Sequence, residues 1–168
     1  CPVNFAMYIK PSYPIAKSPL VRLYLDKHTN RVNDDYYGQE YKNMAWIDLT
    51  LSQRNTPAGF DTTVLIDIDG HVTEGPGFNV GIVKDGSIYT ADKNVLKGIT
   101  MSVVEDIANE NNIAFKRMPI TQSMFNSADE VFITSSSGGV TPTTVVGNIT
   151  NLLVSKYKDK KVEYGTLL

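Results

Sequence analysis

The sequence has little cysteine, little excess charge and no long apolar run. A single cysteine, Cys1, cannot form an internal disulfide, so nothing marks a disulfide-stapled secreted domain. Sixteen Lys and Arg against eighteen Asp and Glu leave a net charge of −2. That balance argues against a broad basic surface, and with it against bulk nucleic-acid binding. No apolar stretch approaches the roughly 18 residues of a membrane span. The opening residues, Cys1-Pro2-Val3-Asn4-Phe5, lack the basic start of a signal peptide. They also lack an initiator Met, so the chain is expected to begin inside something longer. No repeat or low-complexity tract interrupts the 168 residues, a length that suits one domain.

What is present is a core and a strand-rich pattern. Apolar residues make up 42% of the chain and charged ones 20%, enough to bury a core and too little charge for disorder. Val3–Ile9 and Leu20–Leu25 read as strands, with Pro11, Pro14 and Pro19 between them. Residues 26–41 are polar and read as a long irregular connection. Trp46 to Arg54 suits a short helix stopped by Pro57 and Gly59. Thr62–Ile68 and Phe78–Val83 are apolar strands followed by Asp69-Gly70 and Asp85-Gly86, dipeptides that favour tight reversals. Helical spacing recurs over Met101–Asn111. Ile113–Met118 and Glu130–Thr134 read as strands, with a short helix near Gln122–Asn126 between them and a last helix over Ile149–Lys158. Hairpins mixed with scattered helices predict an α+β fold and not a regular doubly wound sheet.

Four features could carry chemistry. Gly98-Ile99-Thr100 precedes the Met101 helix, and N–H groups at a helix start form an anion site. Ser135-Ser136-Ser137-Gly138-Gly139 follows a strand and could cradle an anion in the same way. Glu74 lies within Thr73-Glu74-Gly75-Pro76-Gly77, where small residues permit close approach of a flat ligand. Lys42 precedes the apolar stretch Met44-Ala45-Trp46-Ile47, and a partly buried lysine amine can act as a nucleophile. Taken singly, these are an N-capped helix, a polar turn, a loop acid and a surface lysine. Taken together they are the set that pyridoxal phosphate requires: an amine, a carboxylate for the pyridinium and a phosphate cradle. No group of residues suggests a metal site.

The stretch Thr63–Thr143 resembles the C-terminal large domain of the class IV, fold-type IV pyridoxal-phosphate enzymes, the branched-chain and D-amino-acid aminotransferases. The resemblance rests on "VLIDIDGHVTEGPGFNVGIVKDG", "LKGIT" and "ADEVFITSSSGGVTP", in family order and spacing, and upstream on "KNMAWIDLT". The last block is similar to branched-chain-like members and (R)-selective amine transaminases. It implies residues 1–168 as a single cofactor-binding domain without the family's N-terminal small domain, and so without the arginine that grips the phosphate. It further implies Lys42 as Schiff-base lysine and proton shuttle, Glu74 against the pyridine nitrogen and Leu96 against the ring face. Gly98, Ile99, Thr100, Ser135 and Ser136 would hold the phosphate, and Ser137, Gly138 and Trp46 would line the substrate side. The implied reaction moves an amino group between an amino acid or amine and a 2-oxo acid, in a cytoplasmic homodimer with no membrane or nucleic-acid partner. For the 168 residues alone, weak cofactor binding and little turnover are expected. Two departures stand out: Ile47 occupies a position that is tyrosine in many relatives, and three serines stand where threonine and alanine are commoner. An aminodeoxychorismate lyase-type reaction, a non-catalytic remnant and an amidohydrolase using Cys1 as N-terminal nucleophile are the competing readings.

Overall fold

Strands buried on both faces set the layers of this protein. The computed structural model describes residues 19–33, 35, 41, 42 and 45–165; the strand expected over Val3–Ile9 lies outside them. The elements run β1 (Leu23–Asn30), α1 (Ile47–Arg54), β2 (Thr62–Ile66), β3 (His71–Val72), β4 (Glu74–Gly75), β5 (Phe78–Lys84), β6 (Ser87–Thr90), α2 (Ile99–Glu110), β7 (Phe115–Arg117), β8 (Ile120–Thr121), α3 (Gln122–Asn126), β9 (Glu130–Ser135), β10 (Gly139–Pro142) and α4 (Asn148–Gly165). One sheet has the order β1-β2-β3-β8 and the second β10-β9-β5-β6-β7, with β4 paired to β5. Pairings β1–β2 and β6–β7 are parallel and the other strand pairs antiparallel. The expected α+β class and the final helices are therefore present.

Period-two alternation divides the core. Val80 and Ile82 of β5, with Val131 and Ile133 of β9, join Val64, Ile66 and Val72 in one cluster that draws on both sheets. Val83 and Phe132 point the other way, into a second cluster with Met101, Val104, Ile107 and Ala108 of α2 and Leu153 of α4. A side chain at Gly81 would overlap the Phe132 ring, so a glycine is required where β5 crosses it. The helix α4 starts where Glu130 accepts bonds from Ile149 N and Thr150 N at 3.1 and 2.6 Å. Among the described residues no helix is long and apolar enough to cross a membrane.

Both expected reversals form. Asp85 and Gly86 take φ of 48° and 73°, the left-handed pair of a tight hairpin turn. At the other reversal β2 stops at Ile66 instead of Ile68. There the Asp67 carboxylate accepts bonds from Asp69 N and His71 N, so the side chain takes the place of the ladder.

The polar stretch after Leu25 departs from expectation. It continues β1 to Asn30, parallel to β2, with an irregularity between Asp26 and Asn30. Asp26 makes the bulge by accepting bonds from His28 N and Thr29 N, and Arg31 N then rejoins Ile66 O at 2.7 Å. The consequence is that Arg31 is delivered, buried, beside β4.

Candidate active site

Two short elements place a carboxylate at the floor of a cleft. Glu74 is 4% exposed at the start of β4, directly opposite Asn79 of β5. Its neighbour Gly75 sits so close that a Cβ would overlap the Phe78 ring and the Thr63 carbonyl. Glu74 Oε1 accepts from Arg31 Nε and Nη2 at 3.1 and 2.8 Å. Its Oε2 accepts from Leu96 N at 3.0 Å and Asn79 Nδ2 at 3.2 Å. Asn79 Nδ2 also donates to Leu96 O at 2.7 Å, tying the β6–α2 connection to the same point. Burial pushes the Glu74 carboxyl up from its ordinary range, with Arg31 and the Leu96 N–H opposing that rise and Asp48 adding to it.

Arg31 has a second carboxylate. Its Nη1 donates to Asp48 Oδ2 at 2.6 Å, and Asp48 also accepts from Val32 N and Leu49 N. Both side chains are almost fully enclosed, at 3% and 5%. Sequence reading took neither residue as functional. Arg31 stands in a polar stretch without periodicity, and Asp48 reads as an ordinary first-turn acid of α1.

The walls of the cleft bring most of the expected residues together. Lys42, Trp46, Glu74, Leu96, Gly98, Ile99, Thr100, Ser135 and Ser136 all line it, joined by Arg31, Asn79 and Thr134. Lys42 is exposed and not partly buried, its Nζ 5.4 Å from the Trp46 ring centroid. Leu96 lines the wall and contributes its backbone N–H to Glu74. Ser137 and Gly138 lie apart from the lining, in the exposed turn after β9, where Gly138 N donates to Ser135 Oγ at 3.0 Å.

Also on the cleft, α2 begins without a side-chain cap and with no acid in its first turn. Its opening N–H groups have no intrahelical acceptor and face an end of positive partial charge. A Cβ at Gly98 would overlap Asn79 Oδ1, so the backbone approaches the cleft at the one residue that allows it. Beside it, Thr134 is 2% exposed, and its hydroxyl has no hydrogen-bond partner among the described residues. An exposed amine, a buried carboxylate and an uncapped helix start with an unsatisfied hydroxyl therefore share one cleft. That arrangement fits a ligand with a carbonyl, a basic ring nitrogen and an anionic arm.

Residues 2–146 match the family model described as amino-transferase class IV. A branched-chain-amino-acid aminotransferase of Pseudomonas aeruginosa is 36% identical over 102 residues, 60% of this chain and 33% of that protein. A D-alanine aminotransferase of Listeria monocytogenes is 41% identical over 80 residues, 46% of this chain and 28% of that protein. Among solved structures, a T.th. branched-chain amino acid aminotransferase complexed with N-(5'-phosphopyridoxyl)-L-glutamate superposes with a TM-score of 0.78 at 27% identity, covering 84% of this chain and 51% of that one. The chain spans about half the length, or less, of the curated relatives it matches.

Proposed function

Because the chain belongs to the class IV aminotransferase family, we propose that it is the pyridoxal-phosphate-binding domain of a transaminase acting on branched-chain-like amino acids. The observation that carries this reading is the single cleft shared by Lys42, Glu74 and the uncapped start of α2. When bound, pyridoxal phosphate supplies an aldehyde that takes up the amine and a ring that accepts the electron pair left as the Cα–H bond breaks. Lys42 Nζ holds the group and moves the Cα proton. Glu74, held in place by Arg31, Asn79 and Leu96 N, would face the ring nitrogen and favour its protonated form. The N–H groups of Ile99 and Thr100, with the hydroxyls of Thr100, Ser135 and Ser136, hold the phosphate. The unsatisfied Thr134 hydroxyl supports an anion at the same place. Leu96 shields the ring. Trp46 belongs to the substrate side, and Ser137 and Gly138 extend it into the adjoining turn.

The substrate assignment follows the branched-chain relatives, and the partners are an amino acid and a 2-oxo acid. The reading includes a homodimer working in the cytoplasm. Borohydride reduction of the cofactor-loaded full-length protein, followed by peptide mapping, is expected to place the pyridoxyl label on Lys42. A label on other lysines and none on Lys42 would refute the assignment. A panel of branched-chain L-amino acids, D-alanine and (R)-amines then reads the substrate class; turnover of D-alanine alone would move the assignment to the D-amino-acid branch.

A further inference from the structure

The buried cluster under the cleft carries more negative than positive charge. Arg31 is one guanidinium between two carboxylates, Asp48 at 2.6 Å and Glu74 at 2.8 Å, with all three side chains no more than 5% exposed. Among the described residues no further cation bonds either carboxylate, whose other donors are neutral N–H groups. An excess charge in such surroundings is costly unless an opposite charge approaches. Only one end of the cluster can receive it: Glu74 and Arg31 line the cleft and Asp48 does not. Without Asp48, Arg31 and Glu74 would form a neutral pair, with less to hold a proton on a neighbouring ring.

We propose that Asp48 is a positioning residue acting through Arg31: it fixes the guanidinium from behind and leaves Glu74 with the negative charge that keeps the cofactor's ring nitrogen protonated. The inference rests on the cofactor reading above. Two features of the geometry favour it over a purely local role. Asp48 uses Oδ2, the oxygen that meets Arg31, for Val32 N as well, which sets that oxygen relative to the end of β1. Its other oxygen takes Leu49 N, so an asparagine can keep an acceptor toward Arg31 while losing the charge.

The test compares affinities of the full-length protein for pyridoxal 5'-phosphate and for its deaza analogue, in which carbon replaces the ring nitrogen. Wild type is expected to prefer pyridoxal phosphate. Asp48→Asn is expected to reduce that preference on the order of tenfold, the size of removing one unit charge roughly 10 Å away, beyond both the guanidinium and the Glu74 carboxylate, at an effective dielectric near 20. The loss falls on pyridoxal phosphate, because the neutral analogue gains nothing from the excess charge. Asp48→Glu restores the preference. Should Asp48→Asn not fold, Asp48→Ser, which keeps an acceptor and no charge, is read in the same way. Equal losses for both compounds, or an unchanged preference, would overturn the proposal while leaving the cofactor assignment standing. A wild-type protein that binds neither compound would overturn the cofactor reading itself, and this inference with it.

Discussion

Replacing Glu74 by glutamine separates what the carboxylate does for the fold from what it does for chemistry. The side chain receives four donors: two from Arg31 on Oε1, and Leu96 N and Asn79 Nδ2 on Oε2. A glutamine has one acceptor oxygen and one NH2 group, so either placement sets its amide protons against two of those donors. Asn79 cannot turn to help, because the same Nδ2 is held by Leu96 O at 2.7 Å. If the glutamine oxygen faces Arg31, Leu96 N loses its acceptor and Asn79 Nδ2 keeps only Leu96 O, at about 1–3 kcal/mol for a buried group left unpaired. If it faces Leu96, the guanidinium is left with Asp48 alone. Burial already disfavours the Glu74 charge, which offsets part of the loss, so a net destabilisation of about 3 kcal/mol is expected. For a chain of this size that lowers Tm by roughly 6–12 °C. Thermal unfolding without cofactor reads this term. The transamination rate should fall on the order of a hundredfold, the scale of losing a preorganised electrostatic contact, since an amide cannot hold the pyridinium proton. A Tm within about 2 °C of wild type would refute the network. Near-wild-type turnover would refute the pairing of Glu74 with the ring.

Three further substitutions probe the surroundings. Gly98→Ala should lower both stability and cofactor affinity, because its Cβ displaces Asn79 from Glu74 and Leu96; unchanged cofactor retention after dialysis would contradict this. Thr134→Val removes an unsatisfied buried hydroxyl, so the cofactor-free protein should gain about 1 kcal/mol while affinity for pyridoxal phosphate drops, both read by Tm with and without ligand. Asp26→Asn tests a depressed carboxyl: burial raises its pKa, but bonds from Ser52 Oγ and from His28 and Thr29 prevail and lower it. Its stabilisation is present above the unfolded value, about 3.9, and is lost as pH falls through the lower folded one. Urea unfolding should therefore show a cost of about 1–2 kcal/mol at neutral pH that shrinks under strong acid; a pH-independent cost would refute the assignment.

Local signals carried much of the fold. The Asp85-Gly86 turn, the Gln122–Asn126 helix and the alternation of β5 and β9 each follow from residues adjacent in sequence. The end of β1 did not, because its strand character comes from pairing with β2 and from Asp26 bridging its own backbone, and neither is visible in a polar run. The same limit hid the charge cluster. Arg31 meets Glu74 across 43 residues and Asp48 across 17, separations at which no periodicity or spacing rule connects two side chains. Glu74, Gly98 and Ser136 were legible because glycines and hydroxyls beside them mark close backbone approach. Asn79 and Thr134 were not, since one reads as a strand amide and the other as a strand threonine. The exposure of Lys42 was missed for a related reason: Trp46 and Ile47, the N-cap and first residue of α1, are themselves exposed.

The two ends of the cleft impose opposite demands, and that opposition narrows the ligand more than either end does. At the Glu74 end two buried carboxylates share one guanidinium among the described residues, which disfavours an anion and favours a group that can carry a proton. At the α2 end it presents a helix start with no side-chain cap and no acid in its first turn, which favours an anion. A simple amino acid could satisfy both charges, but it would give Lys42 no carbonyl to meet. A planar ring bearing a basic nitrogen at one edge and a phosphate arm at another satisfies both ends at once. Because Asn79 spans the gap, bonding Glu74 and Leu96 O while its Oδ1 abuts Gly98, the two ends are rigidly spaced. A ligand of the wrong length would then have to break the Glu74 network to bind.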